Sequence, residues 1–257
     1  MNTALLFVLV VLSSALLAVV GQILVQRWVP LSIRESHSAN IGIIYAALYV
    51  MFGVMVGFSA YLVLNKYETS LSMTQSEAGS IEQLYWLAEQ FPEPQRDRIQ
   101  ELTASYGRVV VDEEWPLMGE GQVSSRAGTL ANELRRELQG FFKPSTSAEQ
   151  ALFTQGLERV HDLEEAREVR LLNVREGIPL ILWVVLVSLG IVTVVFTYFI
   201  GIKTIWIHRL AVGALAAGIA LVLFAIGALD RPFDGDYRVG PDAFELTLQT
   251  IERTDGQ

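Results

Sequence analysis

The sequence predicts an all-α membrane protein: four transmembrane helices, with a soluble helical segment inserted between the second and third. Three observations predict it. The chain contains four uncharged, strongly apolar runs of 20 to 24 residues. Hydrophobic residues make up 51% of its 257 positions and its mean hydropathy is +0.37, too apolar for a soluble domain of this size. Between the second and third runs lies a charged stretch whose apolar residues recur at helical spacing.

The apolar runs are Thr3 to Val25, Ile41 to Leu64, Ile178 to Ile200 and Leu210 to Leu229. At ~1.5 Å per residue, a helix of that length reaches about 30 to 36 Å, enough to cross a hydrocarbon core of roughly 30 Å. Trp28, Trp183 and Trp206, with Tyr61 and Tyr198, fall near the run ends, where amphipathic rings favour the interface. The first run is expected to be retained rather than cleaved, because Met1, Asn2 and Thr3 carry no positive charge ahead of a long apolar stretch. The expected organisation is a first helix pair over 1–65, a soluble segment over 66–177, a second helix pair over 178–229 and a tail over 230–257.

Four crossings put both termini and the soluble segment on one face. The loops expected from Gln26 to Asn40 and from Gly201 to Arg209 lie on the other. Arg27, Arg34, Lys203 and Arg209 flank that far side, against Lys66, Arg167, Arg170, Arg175, Arg231 and Arg238 on the near side. The larger positive count assigns the soluble segment and termini to the cytoplasm, and the plasma (inner) membrane is the expected location.

In the soluble segment, Ile81, Leu84, Tyr85, Ala88 and Phe91 mark a first amphipathic helix, which can continue the second crossing without a break. Ile99, Leu102, Tyr106 and Val110 mark a second helix, and Leu130, Leu134 and Leu138 a third. Phe91-Pro92-Glu93-Pro94, Trp115-Pro116 and Lys143-Pro144 are expected breaks, since proline cannot continue a helix. Ser147 and Gln150 fit a capping box opening a long helix to about Arg175. Pro179 then starts the third crossing.

Most of the net charge of −9 belongs to the soluble segment, which carries 12 Lys/Arg against 20 Asp/Glu. That sign excludes a nucleic-acid partner. Zero cysteines exclude disulfides and thiolate metal sites. No phosphate loop, HExxH motif or GxSxG elbow occurs, and His37, His161 and His208 are far apart. No enzyme activity, cofactor or metal is therefore expected. Asp112, Glu113 and Glu114 could bind a cation but better fit a solvated turn, and the acids after Asp230 could coordinate a hard cation such as calcium but better fit a proline-fixed turn.

Within the second crossing, Tyr45, Tyr49, Phe52, Val56 and Ser59 share one helical face, which can line a narrow, largely apolar conduit or simply pack. Gly53 and Gly57, like Ala214 and Gly218 in the fourth crossing, have the four-residue spacing of close helix contacts.

A longer set of landmarks resembles one known family: His37, Asn40, Gly42 and Tyr45; Glu77-Ala78; Leu84-Tyr85; Tyr106; Glu114-Trp115-Pro116; Arg167 and Arg170-Leu171; Pro179 and Trp183; and Asp230-x-Pro232-Phe233-x-Gly235. Together they are similar to the bestrophin-like membrane family, distant relatives of the bestrophin anion channels. The resemblance implies a homo-oligomer, with five subunits as in bestrophins, conducting anions such as chloride through a pore lined by the second transmembrane helix. Bestrophins follow the fourth crossing with acids that hold calcium in animal members. Here those acids are fewer and interrupted by Tyr237 and Arg238. The alternative function is a non-conducting membrane-anchored scaffold or sensor whose soluble segment binds a cytoplasmic partner.

Overall fold

The computed structural model describes residues 3–141, 146–175 and 177–255. Every regular element among them is helical: α1 (Thr3–Trp28), α2 (Leu31–Ala88), α3 (Gln95–Val109), a π-turn (Val110–Glu114), α4 (Trp115–Gly119), α5 (Ser125–Phe141), α6 (Ser147–Arg175), α7 (Leu180–Thr197), α8 (Ile205–Leu229) and α9 (Asp242–Asp255). Four of these helices are long and apolar enough to cross a membrane: α1, α2 from Asn40, α7 and α8. The protein is an integral membrane protein. The chain forms two compact units, one from Met1–Asn65 and Ile178–Asp230, the other from Lys66–Gly177 and Arg231–Gln257.

The membrane unit packs α1 against α8 and α7. Phe7 meets Phe224 edge-on at 5.2 Å between ring centroids, and Ala18, Val194, Tyr198, Val212 and Ala216 form the buried centre. Small residues set the spacing: a Cβ at Gly190 would lie 3.2 Å from Ile219 and 3.4 Å from Phe52, and one at Gly213 would lie 3.3 Å from Val19. Leu9, Leu12 and Leu16 of α1, Val50, Val54 and Phe58 of α2, and Leu180, Ile181 and Ile191 of α7 are all exposed. Water does not tolerate so continuous an apolar surface, whereas lipid or another apolar protein surface does.

The other unit, which holds the segment expected to be soluble (hereafter the soluble unit), is organised around a conventional core. Ala78, Ile81, Leu84 and Ala88 of α2 meet Ile99, Leu102, Tyr106 and Val109 of α3. Leu134 and Leu138 of α5, Val160 and Leu163 of α6, and Phe244 of α9 complete it. Residues Arg231–Gln257, expected as a tail, belong to this unit.

Three local expectations change. The Gln26 to Asn40 loop is almost wholly helical, because charged residues such as Arg34 and Glu35 end an apolar run without ending a helix. Trp115-Pro116 does not break the chain. The π-turn precedes it, Trp115 N–H donates to Val110 O five residues back, and Pro116 falls in the first turn of α4, where a missing N–H costs little. The capping box at the head of α6 lies one residue earlier than expected: Glu149 N–H donates to Thr146 Oγ1 at 3.2 Å, and Thr146 N–H to Glu149 Oε2 at 3.2 Å. Lys143-Pro144 lies outside the described residues.

Candidate functional site

The soluble unit contains an unusual interior: five polar side chains from four elements meet in its apolar core. Glu77, Tyr106, Glu114 and Arg170 are fully buried and Arg167 is 8% exposed. Each is placed by helical periodicity. Glu77 precedes Ile81, Leu84 and Ala88 on the inner face of α2, and Tyr106 continues the Ile99 and Leu102 face of α3. Arg167 and Arg170 extend the Val160 and Leu163 face of α6. Glu114 closes the π-turn and points inward rather than into the solvated turn expected for it.

Arg170 Nε donates to Glu77 Oε2 at 2.6 Å and Nη2 to Glu77 Oε1 at 2.8 Å, a two-point fork. The same Nη2 reaches Glu114 Oε2 at 2.8 Å, and Nη1 points at Met118 Sδ at 2.7 Å. Arg167 grips Glu114 through Nη1 at 2.5 Å and Nη2 at 2.7 Å. Ser124 N–H also donates to Glu114, and the Tyr106 hydroxyl donates to Glu77. Trp115 stacks its ring beneath the Arg170 guanidinium at 5.2 Å, and Phe244 lies 5.9 Å away. Trp115 is in turn fixed by Phe233, by Phe244 and by a hydrogen bond from its Nε1 to Val239 O at 3.3 Å.

Two arginines facing two carboxylates cancel in charge, and that explains how four ionisable groups are tolerated where water is excluded. Burial alone pushes the Glu114 carboxyl up, but Arg167 and Arg170 outweigh it and hold the group below the usual carboxylate range. Burial likewise opposes charge on Arg170, and Glu77 more than compensates. Burial beside Glu77 raises the Tyr106 hydroxyl well above its ordinary value and keeps it a donor. Both carboxylates are gripped by the two arginines, so the arrangement is a brace between α2, α3, the π-turn and α6.

The other candidates are dispersed. Pro232 and Phe233 are buried in the soluble unit, Pro232 accepting Val239 N–H at 2.6 Å. Asp230, in the membrane unit, accepts Ile178 N–H at 2.7 Å and Trp183 Nε1–H at 3.4 Å. His37 and Asn40 are exposed near the start of α2. Of the α2 stripe, Tyr49 is exposed and stands 6.3 Å from the ring of half-buried Tyr45, and Val56 is half-buried. Phe52 packs over Gly190, and Ser59 is fully buried. Phe52 therefore faces α7 within the chain, filling the space beside Gly190, and Ser59 is covered in the single chain. Gly53, Gly57 and Gly218 have nothing within 4 Å of a built Cβ, and Ala214 is exposed. The close contacts inside the membrane unit use Gly21, Gly190 and Gly213 instead.

The Bestrophin-like domain model matches residues 12–244, nearly the whole chain. The chain belongs to the bestrophin-like family. Solved structures of a bacterial bestrophin homologue from Klebsiella pneumoniae share the fold: one variant aligns at 9% identity with a TM-score of 0.73, covering 96% of this chain and 99% of its own. A second variant aligns at 12% identity and a TM-score of 0.70, covering 96% and 98%. A structure described as a membrane protein variant aligns at 9% identity and 0.72, covering 96% and 99%. No curated protein matches the sequence. The brace joins members of the bestrophin-like landmark set, Glu77, Tyr106, Glu114, Trp115, Arg167 and Arg170, at the core of one unit. Sequence reasoning missed Met118 and Ser124, which carry no signal of charge or periodicity.

Proposed function

We propose that this bestrophin-like protein is one subunit of a homo-oligomeric channel that passes small anions such as chloride through a pore lined by α2. Family membership across residues 12–244 carries the reading. The open side of α2 supports it, since Val50, Gly53, Val54 and Gly57 are uncovered in the single chain and need lipid or further subunits against them. Of the stripe, Tyr45, Tyr49 and Val56 are proposed to line the conduit, because the single chain leaves Tyr49 exposed and the other two half-buried. The small residues Gly53, Gly57, Ala214 and Gly218 are free for contacts between subunits. Five copies is the stoichiometry that the bestrophin resemblance implies. The soluble unit and termini are assigned to the cytoplasmic side of the plasma (inner) membrane on the Lys/Arg distribution.

One observation favours a second reading, a non-conducting membrane-anchored scaffold or sensor. The segment 66–177 carries eight more acids than bases (20 − 12), and pairing Glu77 and Glu114 with two arginines leaves that surplus intact. A negative field of this kind repels anions. Native mass spectrometry and chloride efflux from liposomes separate the two. A closed ring with efflux altered by Tyr49→Ala fits the channel. A monomer or dimer without efflux at any chloride gradient fits the scaffold and removes the channel.

A further inference from the structure

Among the described residues of the membrane unit, the buried side-chain polar atoms without a hydrogen-bond partner are Gln22 Nε2 and Oε1, Arg34 Nε and Nη1, Ser59 Oγ and His208 Nδ1. Gln22, Arg34 and His208 belong to one end of that unit. The α1–α8 pair fixes the level of the first and third: Phe7 meets Phe224, Val19 meets the Gly213 position, and the antiparallel register therefore sets Gln22 opposite Arg209 and Leu210, next to His208. Tyr198 of α7 closes over Gly21, and His208 Nε2 lies 3.0 Å from Thr197 O. Arg34 arrives from α2. Its backbone and that of Glu35 press against Gly201, where an added Cβ would stand 2.6 Å from Glu35 N, and Gly201 N–H donates to Ser38 Oγ at 2.8 Å. The Arg34 charge is within electrostatic reach of His208.

The charge balance here is the reverse of that in the brace. Arg34 is 7% exposed, and no carboxylate forms an ion pair with it among the described residues. Its neighbour Glu35 is exposed, as adjacent helical residues point apart. A guanidinium stays protonated whatever its surroundings, so it cannot escape the cost of burial by losing its charge. Gln22 is fully buried with both ends of its amide unused. Buried donors of this strength are almost always satisfied, and a positive one requires a negative partner.

We propose that this end of the membrane unit is a binding site for one small monovalent anion, a halide or formate, held by Arg34 Nε–H and Nη1–H with Gln22 Nε2–H. Arg34 is 7% exposed and Gln22 is fully buried, which favours a small ion over a bulky phosphate headgroup. The site is independent of conduction, because it needs neither an open pore nor a second subunit.

The test uses the full-length protein in lipid nanodiscs, melted in sodium chloride, bromide, formate or gluconate at equal ionic strength. A small anion is expected to raise the wild-type Tm over gluconate by about 2–4 °C. Arg34→Met should lose that increment and melt in gluconate no lower than the wild type, since the uncompensated charge is gone. Gln22→Leu should keep the increment but move its midpoint several-fold higher in anion concentration. Bromide-soaked crystals of the wild type should show an anomalous peak in contact with the Arg34 guanidinium. Equal increments in wild type and Arg34→Met, an unchanged midpoint in Gln22→Leu, or a map without a peak at Arg34 would each overturn the proposal. Neither readout depends on ion flux, so a failed channel assay leaves the result interpretable.

Discussion

Replacing Arg170 by methionine tests the brace at its centre. The substitution keeps a long side chain over Trp115 but removes the fork on Glu77 and one of the contacts on Glu114. Glu114 retains Arg167, so the stranded group is Glu77, buried with only the Tyr106 hydroxyl. Breaking a buried pair in this way costs about 3–5 kcal/mol. Protonation sets a ceiling on the cost: neutralising an ordinary carboxylate takes about 4 kcal/mol at pH 7 and about 1 kcal/mol at pH 5. Taking about 2–4 °C per kcal/mol, Arg170→Met should lower the Tm by roughly 10 °C at pH 7 and about 3 °C at pH 5. Thermal unfolding followed by tryptophan fluorescence reads this directly, because Trp115 is part of the brace. Glu77→Gln added to Arg170→Met should recover part of the loss and erase its pH dependence. A loss under 2 °C, or one of equal size at both pH values, would refute the account of the brace.

Other perturbations separate structure from assembly. Tyr106→Phe removes a neutral donor to Glu77 and should cost about 1–2 kcal/mol, seen as a smaller Tm drop than Arg170→Met. The depressed Glu114 carboxyl contributes stability that is complete above its unfolded value of about 4.3 and disappears as pH falls through the lower folded value. Acid titration should therefore leave the soluble unit intact at pH 5 and melt it below about pH 4, earlier in Arg167→Gln. Gly201→Ala forces a Cβ into the α2 backbone and should reduce the yield of folded protein, whereas Gly218→Ala meets open space and should not. Gly53→Leu should leave the single chain folded but dissociate the oligomer on size exclusion; an unchanged elution volume would remove Gly53 from the proposed interface.

The fold was legible because lipid imposes the simplest of patterns, and the uncharged runs locate the four helices directly. Helix ends were less legible. Arg34 and Glu35 mark where apolar character stops, yet the backbone continues its hydrogen bonding through them. The brace lay in the sequence twice without being assembled. Glu77 stands in the Ile81, Leu84, Ala88 register and Arg167 with Arg170 in the Val160, Leu163 register, so helical spacing already placed charge on inner faces. What could not be read was the partnership, since Glu77 and Arg170 are 93 positions apart and only packing brings them together. The π-turn was hidden for a different reason. It lies between α3 and the Trp115-Pro116 start of α4, and no residue type announces it. The α2 stripe shows the limit of periodicity: five residues can share a helical face without revealing whether that face meets a pore or, as for Phe52, the chain's own α7.

The proposed function stands on conduction by an oligomer. Planar-bilayer recording of the purified protein across a potassium chloride gradient tests it most directly. The account predicts discrete current steps that reverse near the chloride equilibrium potential and change amplitude in Tyr49→Ala. A silent bilayer after confirmed insertion, or currents reversing at the potassium potential, would contradict it.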